Sequence, residues 1–196
     1  MPFFPRRRRP LRRARRILRR PVPVPPVARR ALRRLNRAHQ LMAQGEYAQA
    51  AIIYEELAES AERQAVRRAP QLNLQAGMAW LKAGEKERAL ARLRQGLFQM
   101  IRLGQTQRFQ AASHRILTEL RNHGLSEQAQ ALEAELKKEL SGLGITLTAP
   151  ASRPGRPHLP SKCPSCGGNV RRDEVEWLGA ETAVCDYCGS TLVASQ

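Results

Sequence analysis

The chain has 196 residues, with 34 basic side chains against 17 acidic ones and a formal net charge of +17. This length accommodates one domain of medium size together with a small second unit, and no hydrophobic run approaches the length of a transmembrane helix. The charge is unevenly placed, because residues 1–45 hold fifteen arginines and no acidic side chain, whereas the remaining 151 residues hold nineteen basic and seventeen acidic ones. The basicity therefore belongs to the N-terminal segment, and the rest of the chain is expected to be nearly neutral.

Residues 1–26 are predicted to form a disordered arm. Arginine dominates this segment and four of its last six residues are prolines, so the end of the arm favours an extended spacer. The arm has too little apolar mass to build a core against the repulsion between its like charges. Its ten arginines are the candidate ligands for a polyanion: Arg6, Arg7, Arg8, Arg9, Arg12, Arg13, Arg15, Arg16, Arg19 and Arg20.

Three roles for the arm stay open. A nucleic acid would be contacted through its phosphates, with each arginine adding a salt-sensitive contribution. An anionic membrane surface would also take up Phe3 and Phe4. The third role is a solvated tail without a dedicated partner. A G+C-rich genome would by itself explain why arginine outnumbers lysine in this chain. The start also resembles an organellar transit peptide, but its lack of serine and its proline spacer are unusual for one, and we expect a cytoplasmic protein.

Residues 27–141 are predicted to be helical, since Ala, Leu, Gln, Glu and Arg dominate and β-branched residues are few. An internal repeat runs through this region: the segment Leu41–Ala50 recurs as Trp80–Ala89 and, more weakly, as Leu120–Ala129. Each copy has a glycine at its fifth position and an alanine at its tenth, and the glycines are thirty-nine and then forty residues apart. We expect the glycine to close a turn between two helices and the alanine to let those helices approach closely.

This pattern predicts a mostly α fold, with three helical hairpins stacked as a solenoid and a small β unit at the C-terminal end. The expected helices span about 28–43, 47–66, 70–82, 86–103, 106–122 and 126–140.

The repeat resembles the tetratricopeptide repeat family. The resemblance is carried by Gly45–Ala50 with Tyr54, and by Ala76–Trp80 with Gly84 and Ala89. The period is longer by five or six residues than the family's usual length of about 34, which implies longer second helices or longer turns between units. The resemblance implies a protein-interaction surface, in which the first helix of each hairpin lines a groove for an unidentified protein partner.

Six residues at groove positions are the candidate contacts for that partner. They are His39, Met78, Lys82, His114, Arg121 and Asn122. For the apolar residues at groove positions, the alternative is packing in the core. An enzyme is not expected, because no histidine has a nucleophile or carboxylate partner at a recognisable spacing, and no small-molecule substrate is expected either.

All four cysteines lie near the C-terminal end in two Cys-x-x-Cys pairs. Cys163 and Cys166 form the first pair, Cys185 and Cys188 form the second, and eighteen residues separate the pairs. This is the spacing of a four-thiolate zinc site, and the glycines after both pairs let the chain turn towards a metal. The alternatives are two disulfides, an iron site and a redox-active dithiol. The lack of a secretory signal argues against the first, and the lack of a βαβ pattern argues against the last.

The cysteine motifs resemble the zinc ribbon family over residues 162–194. A short β-hairpin is expected within Asn169–Val184, and the single Zn²⁺ is expected to be structural because four cysteines leave no coordination position for water. Residues 142–161 are predicted to be a linker rich in proline, glycine and serine. The ribbon, residues 162–196, is therefore expected to be tethered, with an orientation that varies unless it docks on the helical part.

Taken as a whole, these features predict a non-enzymatic cytoplasmic adaptor, a helical-repeat scaffold with an arginine-rich arm and a structural zinc ribbon. The alternative is a nucleic-acid-binding accessory protein that uses the arm and the ribbon. Because acidic side chains outnumber basic ones in the ribbon, nucleic-acid affinity is expected to lie in the arm and to depend little on base sequence.

Overall fold

The computed structural model describes residues 26–144, 146–147, 157–172 and 175–194. Within these residues, helices come first in the chain and a small antiparallel sheet follows, which confirms the predicted mostly α fold. The helices are α1 (Pro26–Gln44), α2 (Tyr47–Arg63), α3 (Ala69–Ala83), α4 (Lys86–Arg102), α5 (Thr106–Asn122) and α6 (Ser126–Ser141). The strands are β1 (Glu176–Trp177), β2 (Thr182–Val184) and β3 (Thr191–Val193). No helix in the described ranges has both the length and the apolar character needed to cross a lipid bilayer.

The helices pair as three hairpins, α1 with α2, α3 with α4 and α5 with α6, and each helix packs against the next one along the chain. We call residues 26–144 the helical body, and the described residues of 157–194 the C-terminal module. All predicted helix boundaries agree with the structure to within three residues. The predicted arm (residues 1–26) falls outside the described residues except for Pro26. Half of the predicted linker (142–161), namely residues 145 and 148–156, falls outside them as well.

The glycine turns lie where the repeat predicts them. Gly45, Gly84 and Gly124 have φ angles of +83°, +87° and +74°. At the end of α3, the amide of Gly84 donates to the carbonyl of Leu81 at 3.2 Å, and the next amide donates to the carbonyl of Trp80 at 3.0 Å. These two bonds form a Schellman motif, which satisfies the last carbonyls of a helix and needs a left-handed residue at this position.

The same motif ends α2 and α4, where it was not predicted. Gly104 has a φ of +65° after α4, and Ala65 has a φ of +50° after α2. The amide of Ala65 donates to the carbonyl of Glu62 at 2.9 Å, and the amide of Val66 donates to the carbonyl of Ala61 at 2.8 Å. The predicted α2 extended to residue 66, because alanine favours a helix. In the structure the helix ends at Arg63.

The two helices of the second hairpin approach more closely than an alanine would allow. A β-carbon on Gly77 of α3 would lie 2.6 Å from Cγ of Leu93, and one on Gly96 of α4 would lie 2.6 Å from Cδ2 of Leu74. Both leucines are fully buried. The repeat alanines at positions 50, 89 and 129 are also fully buried, as expected.

Gly84→Val is expected to lower the free energy of unfolding of the helical body by roughly 1–3 kcal/mol, because a β-branched residue is strained at a φ of +87°. No atom lies within 4 Å of the position that the new β-carbon would take, so the cost is conformational. Gly84→Asn is the matched control, since asparagine tolerates the left-handed region. Thermal unfolding followed by circular dichroism measures both. Equal midpoints for Gly84→Val and the parent protein would contradict the turn assignment.

The C-terminal sheet contains the predicted hairpin. β1 pairs with β2 in antiparallel register, with Glu176 opposite Val184 and Trp177 opposite Ala183. β3, which was not predicted, pairs antiparallel with β2 and extends the sheet in the order β1-β2-β3. Ala183 is fully buried, so the middle strand faces the interior of the C-terminal module.

Candidate metal centre

Each cysteine pair sits in a tight turn, and the two turns are alike. In the first, the amide of Gly167 donates to the carbonyl of Cys163 at 2.8 Å, and in the second the amide of Gly189 donates to the carbonyl of Cys185 at 2.9 Å. Both glycines have positive φ, +70° and +77°. The turns present the two sulfurs of each pair to the same side, which is the local geometry that a Cys-x-x-Cys metal knuckle requires.

The four cysteine sulfurs form one cluster in which all lie within 4.8 Å of one another. Cys163 and Cys188 have their sulfurs 3.7 Å apart, and so do Cys166 and Cys185. A tetrahedral ion with sulfur ligands at about 2.3 Å separates those ligands by about 3.8 Å. The cysteines are free, and 3.7 Å is far from a disulfide bond length of about 2.05 Å. The arrangement therefore fits one four-coordinate metal ion.

Hydrogen bonding divides the protons unequally among the thiols. Hydrogen bonds from the thiols of Cys166 and Cys185 hold the pKa of Cys188 well below its usual range, because they stabilise its thiolate. Hydrogen bonds between Cys166 and the sulfurs of Cys185 and Cys188, together with burial, raise the pKa of Cys166. The hydroxyl of Ser190 lies 2.6 Å from the sulfur of Cys188 and adds a donor to that thiolate. The cluster therefore favours a thiolate at Cys188 and disfavours a second thiolate at Cys166. A divalent cation would relieve the repulsion between several thiolates, so the cluster suits such an ion.

The C-terminal module lies against the first helices of the hairpins. Nδ1 of His39 on α1 is 2.7 Å from the carbonyl oxygen of Cys166, and the ring of His39 meets the ring of Tyr187 edge-on at 5.1 Å. Nε2 of Gln75 on α3 donates to the hydroxyl of Tyr187 at 2.9 Å. Gly168 fits between the two rings, since a β-carbon there would lie 2.6 Å from atoms of both. The two cysteine turns and the first helices of the hairpins therefore share one packed interface.

An ion pair extends this interface to α5. Arg108 pairs with Asp186, which is only 5% exposed and lies between the two cysteines of the second knuckle. Arg68, in the turn before α3, packs its guanidinium against Gly189 of the same knuckle. A buried carboxylate needs a counter-ion, so Arg108 both satisfies Asp186 and ties the knuckle to the helical body.

The ring of His39 is held neutral at the centre of this contact. Burial lowers its pKa, and Nδ1 carries the proton that it donates to Cys166. The ring of Tyr54 lies beneath it at 5.7 Å, and burial raises the pKa of that phenol. Among the described residues, neither Nε2 of His39 nor the hydroxyl of Tyr54 has a hydrogen-bond partner. The interface is thus close-packed and mostly aromatic, with a few directional polar bonds.

Of the six predicted partner contacts, His39 is used by the chain itself in binding the C-terminal module. Met78 is half-buried and packs against the core, which agrees with the alternative expected for apolar groove residues. Lys82 is exposed, and its ammonium lies 5.5 Å from the ring centre of Tyr47 on the neighbouring helix.

The other three lie on α5 and remain at the surface. His114 and Asn122 are exposed. Arg121 donates to Glu133 of α6 at 2.8 Å, so its guanidinium faces the second helix of its own hairpin. The ten arginines of the predicted polyanion set (Arg6, Arg7, Arg8, Arg9, Arg12, Arg13, Arg15, Arg16, Arg19 and Arg20) lie outside the described residues.

Sequence reasoning missed most of the residues that join the module to the helices. Gln75 and Arg108 are polar residues among many on amphipathic helices, and no local pattern distinguishes them. Asp186 and Tyr187 could have been noticed, because they are the two residues between the cysteines of the second pair. Residues at these positions are expected to contact any surface that packs against the cysteine cluster, but the sequence does not identify that surface.

Comparison with protein-family models, with curated proteins and with solved structures gave no match to this chain. The function is therefore inferred from the arrangement of the described residues. The four clustered cysteines, three of them buried, could hold one metal ion. The turns that carry them contact three helices of the helical body.

Proposed function

We propose that this protein is a non-enzymatic adaptor, built as a tetratricopeptide-repeat-like scaffold with a structural zinc ribbon. Its binding surface is the first-helix face, which we define as the side of α1, α3 and α5 that carries His39, Gln75 and Arg108. One observation carries this proposal: the first-helix face already holds a polypeptide, namely the chain's own C-terminal module.

The contacts on the first-helix face are those expected of a peptide-binding surface. A histidine donates to a main-chain carbonyl, an amide side chain donates to a tyrosine hydroxyl, and an arginine pairs with a buried carboxylate. Aromatic packing and a few directional polar groups are typical of the centre of protein interfaces. The resemblance of the repeat to a family of protein-binding solenoids supports the same function.

Zinc is the metal that best suits the cysteine cluster. Four cysteine ligands in a tetrahedron are the usual donor set of structural zinc, and they leave no open position for water or substrate. Three of the four cysteines are buried and the fourth is half-buried. Their task in this proposal is to hold the small module in shape, because its three short strands provide little core of their own.

An outside partner would compete with the module for the first-helix face. Covalent attachment keeps the module at an effective concentration on the order of millimolar near that face. A competing partner therefore binds with an apparent affinity that is reduced by the fraction of molecules in which the module is docked. Weakening the docking without unfolding the module should accordingly strengthen partner binding.

The test uses the full chain with Gln75→Ala and Arg108→Ala combined. This variant loses the bond to Tyr187 and leaves Asp186 without its counter-ion, so module amides should exchange with solvent roughly tenfold faster or more. Metal content should stay unchanged. A partner recovered from nuclease-treated lysate should then bind the purified variant more tightly than the parent, by a similar factor.

The matched control combines Gln107→Ala and Arg102→Ala, two exposed residues of the same types on α5 and α4. It should leave both amide exchange and partner affinity unchanged. Equal partner affinity for the parent and the undocked variant would place the partner elsewhere on the protein and contradict competition on the first-helix face. Loss of binding in the undocked variant would instead mean that module and helices form one composite surface.

A further inference from the structure

The exposed side of α1 carries only positive charge. The helix contains five arginines and no acidic residue, and all five arginines are exposed. Its apolar side is already used, because Leu35, Ala38 and Leu41 are buried in the core. α1 therefore presents a basic row to solvent while its other side packs in the helical body.

Three of these five charges have no acidic partner within the part of the chain that the structure describes. Arg34 pairs with Glu56 of α2. Among the described residues, no ion pair or hydrogen bond of a side chain involves Arg30, Arg33 or Arg37. Elsewhere in the helical body arginines do have acidic partners, as between Arg94 and Glu135 at 2.8 Å and between Arg121 and Glu133 at 2.8 Å. A row of like charges one turn apart destabilises an isolated helix, so α1 is unusual within this fold.

We propose that Arg30, Arg33 and Arg37, here called the α1 stripe, bind the phosphate backbone of a nucleic acid. These three residues follow one another along one side of the helix at intervals of about 5–6 Å, which is comparable with the spacing of successive phosphates along a strand. Guanidinium groups match phosphate oxygens in charge and in geometry. Such contacts read the backbone rather than the bases, so binding depends little on sequence.

The position of α1 in the chain supports this assignment. The helix begins at Pro26, six residues after the last of the ten arginines of residues 6–20. The α1 stripe thus continues the positive charge of the N-terminal segment onto a rigid element of the fold.

The proposal does not depend on partner binding at the first-helix face. On a helical wheel, His39 lies about 120° from Arg33, and Asn36, which donates to the main-chain carbonyl of Ser165 at 3.4 Å, lies about 60° from it. The docked module therefore borders the α1 stripe and leaves its arginines exposed.

A membrane surface fits α1 less well. A helix that lies on a bilayer inserts an apolar side among the lipids, and the apolar side of α1 is buried in the core. The exposed side offers arginines, Gln40 and small alanines, with no aromatic residue. Only Val27, at the start of the helix, is a large exposed apolar side chain there.

The experiment measures binding of the full chain to a short fluorescent DNA duplex of mixed sequence, by anisotropy over a series of salt concentrations. The variant combines Arg30→Gln, Arg33→Gln and Arg37→Gln, which keep good helix formers at exposed positions. Removing three phosphate contacts should lower the affinity by about tenfold or more, and should reduce the slope of log K against log salt by nearly three. A second duplex of unrelated sequence should give the same values.

The matched control removes three positive charges elsewhere, with Arg63→Gln, Arg102→Gln and Lys138→Gln, all at exposed positions. Its affinity should fall by no more than about threefold, because only the long-range field changes. A further variant combines Arg30→Lys, Arg33→Lys and Arg37→Lys, and it should keep the slope of log K against log salt. It tests the role of positive charge independently in case the glutamine variant is unstable.

Three outcomes would overturn the proposal. The full chain could fail to bind the duplex, the stripe and control variants could lose affinity equally, or the lysine variant could lose the salt slope. A fourth outcome would reassign the α1 stripe to a membrane surface: the glutamine variant would bind DNA like the parent but lose binding to vesicles that contain anionic lipid.

Discussion

Cys166→Ser is expected to abolish stoichiometric metal binding and to unfold the C-terminal module. Cys166 is fully buried, and its sulfur lies 3.7 Å from that of Cys185. Serine cannot supply the thiolate that the site needs. Structural zinc supplies on the order of 10 kcal/mol of apparent folding free energy in small metal-stapled units. The module has only three strands of two or three residues, so it has little else to hold it together.

The measurement is metal content together with circular dichroism. The parent protein, purified under reducing conditions without chelator, is expected to contain about one zinc per chain. Cys166→Ser should contain none, while its far-UV helical signal stays nearly intact because the helices lie outside the module. Ser165→Ala is the matched control, since this residue is exposed and lies between the same two ligands of the first knuckle. It should keep the metal.

Loss of the metal should also undock the module. The carbonyl of Cys166 accepts the bond from His39, and Tyr187 of the second knuckle contacts both His39 and Gln75. These groups keep their positions only while the knuckles are folded. Amides of α1 and α3 near the first-helix face should therefore exchange faster in Cys166→Ser. A parent protein without stoichiometric metal, or a variant that retains it, would contradict the four-cysteine site.

The part of the fold that could be predicted is the part with local signals. Glycine has a clear function after a helix because it adopts positive φ at little cost, so Gly45, Gly84 and Gly124 marked real turns. The cysteine spacing predicted the cluster for a similar reason, since two residues between sulfurs fix a local turn. Gly104, halfway between Gly84 and Gly124, could have been predicted as a turn by the same argument. Ala65 was not, because nothing in an alanine indicates a left-handed residue.

The docking of the C-terminal module could not be predicted, because its contacts are distant in sequence and individually ordinary. Arg108 and Asp186 are one arginine and one aspartate among many charged residues, and only the fold shows that Asp186 is buried. The sequence did indicate that the module would vary in orientation unless it docked. The module docks because of the chemistry of the second Cys-x-x-Cys turn. Between its cysteines lie a carboxylate and a tyrosine, which contact Arg108 and Gln75 on the helices.

Gly96→Ala is expected to destabilise the helical body by about 2 kcal/mol, although alanine is the better helix former. Away from other contacts, the exchange should stabilise a helix by about 1 kcal/mol. Here the new β-carbon would lie 2.6 Å from Cδ2 of Leu74 and 2.8 Å from the main-chain carbonyl oxygen of Pro70. A leucine side chain can move aside, but that carbonyl belongs to the first turn of α3, so the whole helix must shift. Overpacking of this kind typically costs 1–3 kcal/mol.

Gly142→Ala is the matched control, because it makes the same exchange where there is room. Gly142 has a φ of −64° at the end of α6, and a β-carbon there would meet only the carbonyl oxygen of Glu139, at 3.5 Å. The control should leave stability unchanged or raise it by up to about 1 kcal/mol. Thermal unfolding should therefore shift in opposite directions, with Gly96→Ala lower by on the order of 5–10 °C. If both variants unfold at the same temperature as the parent, α3 and α4 do not approach through Gly96, and the packing of the second hairpin is wrong.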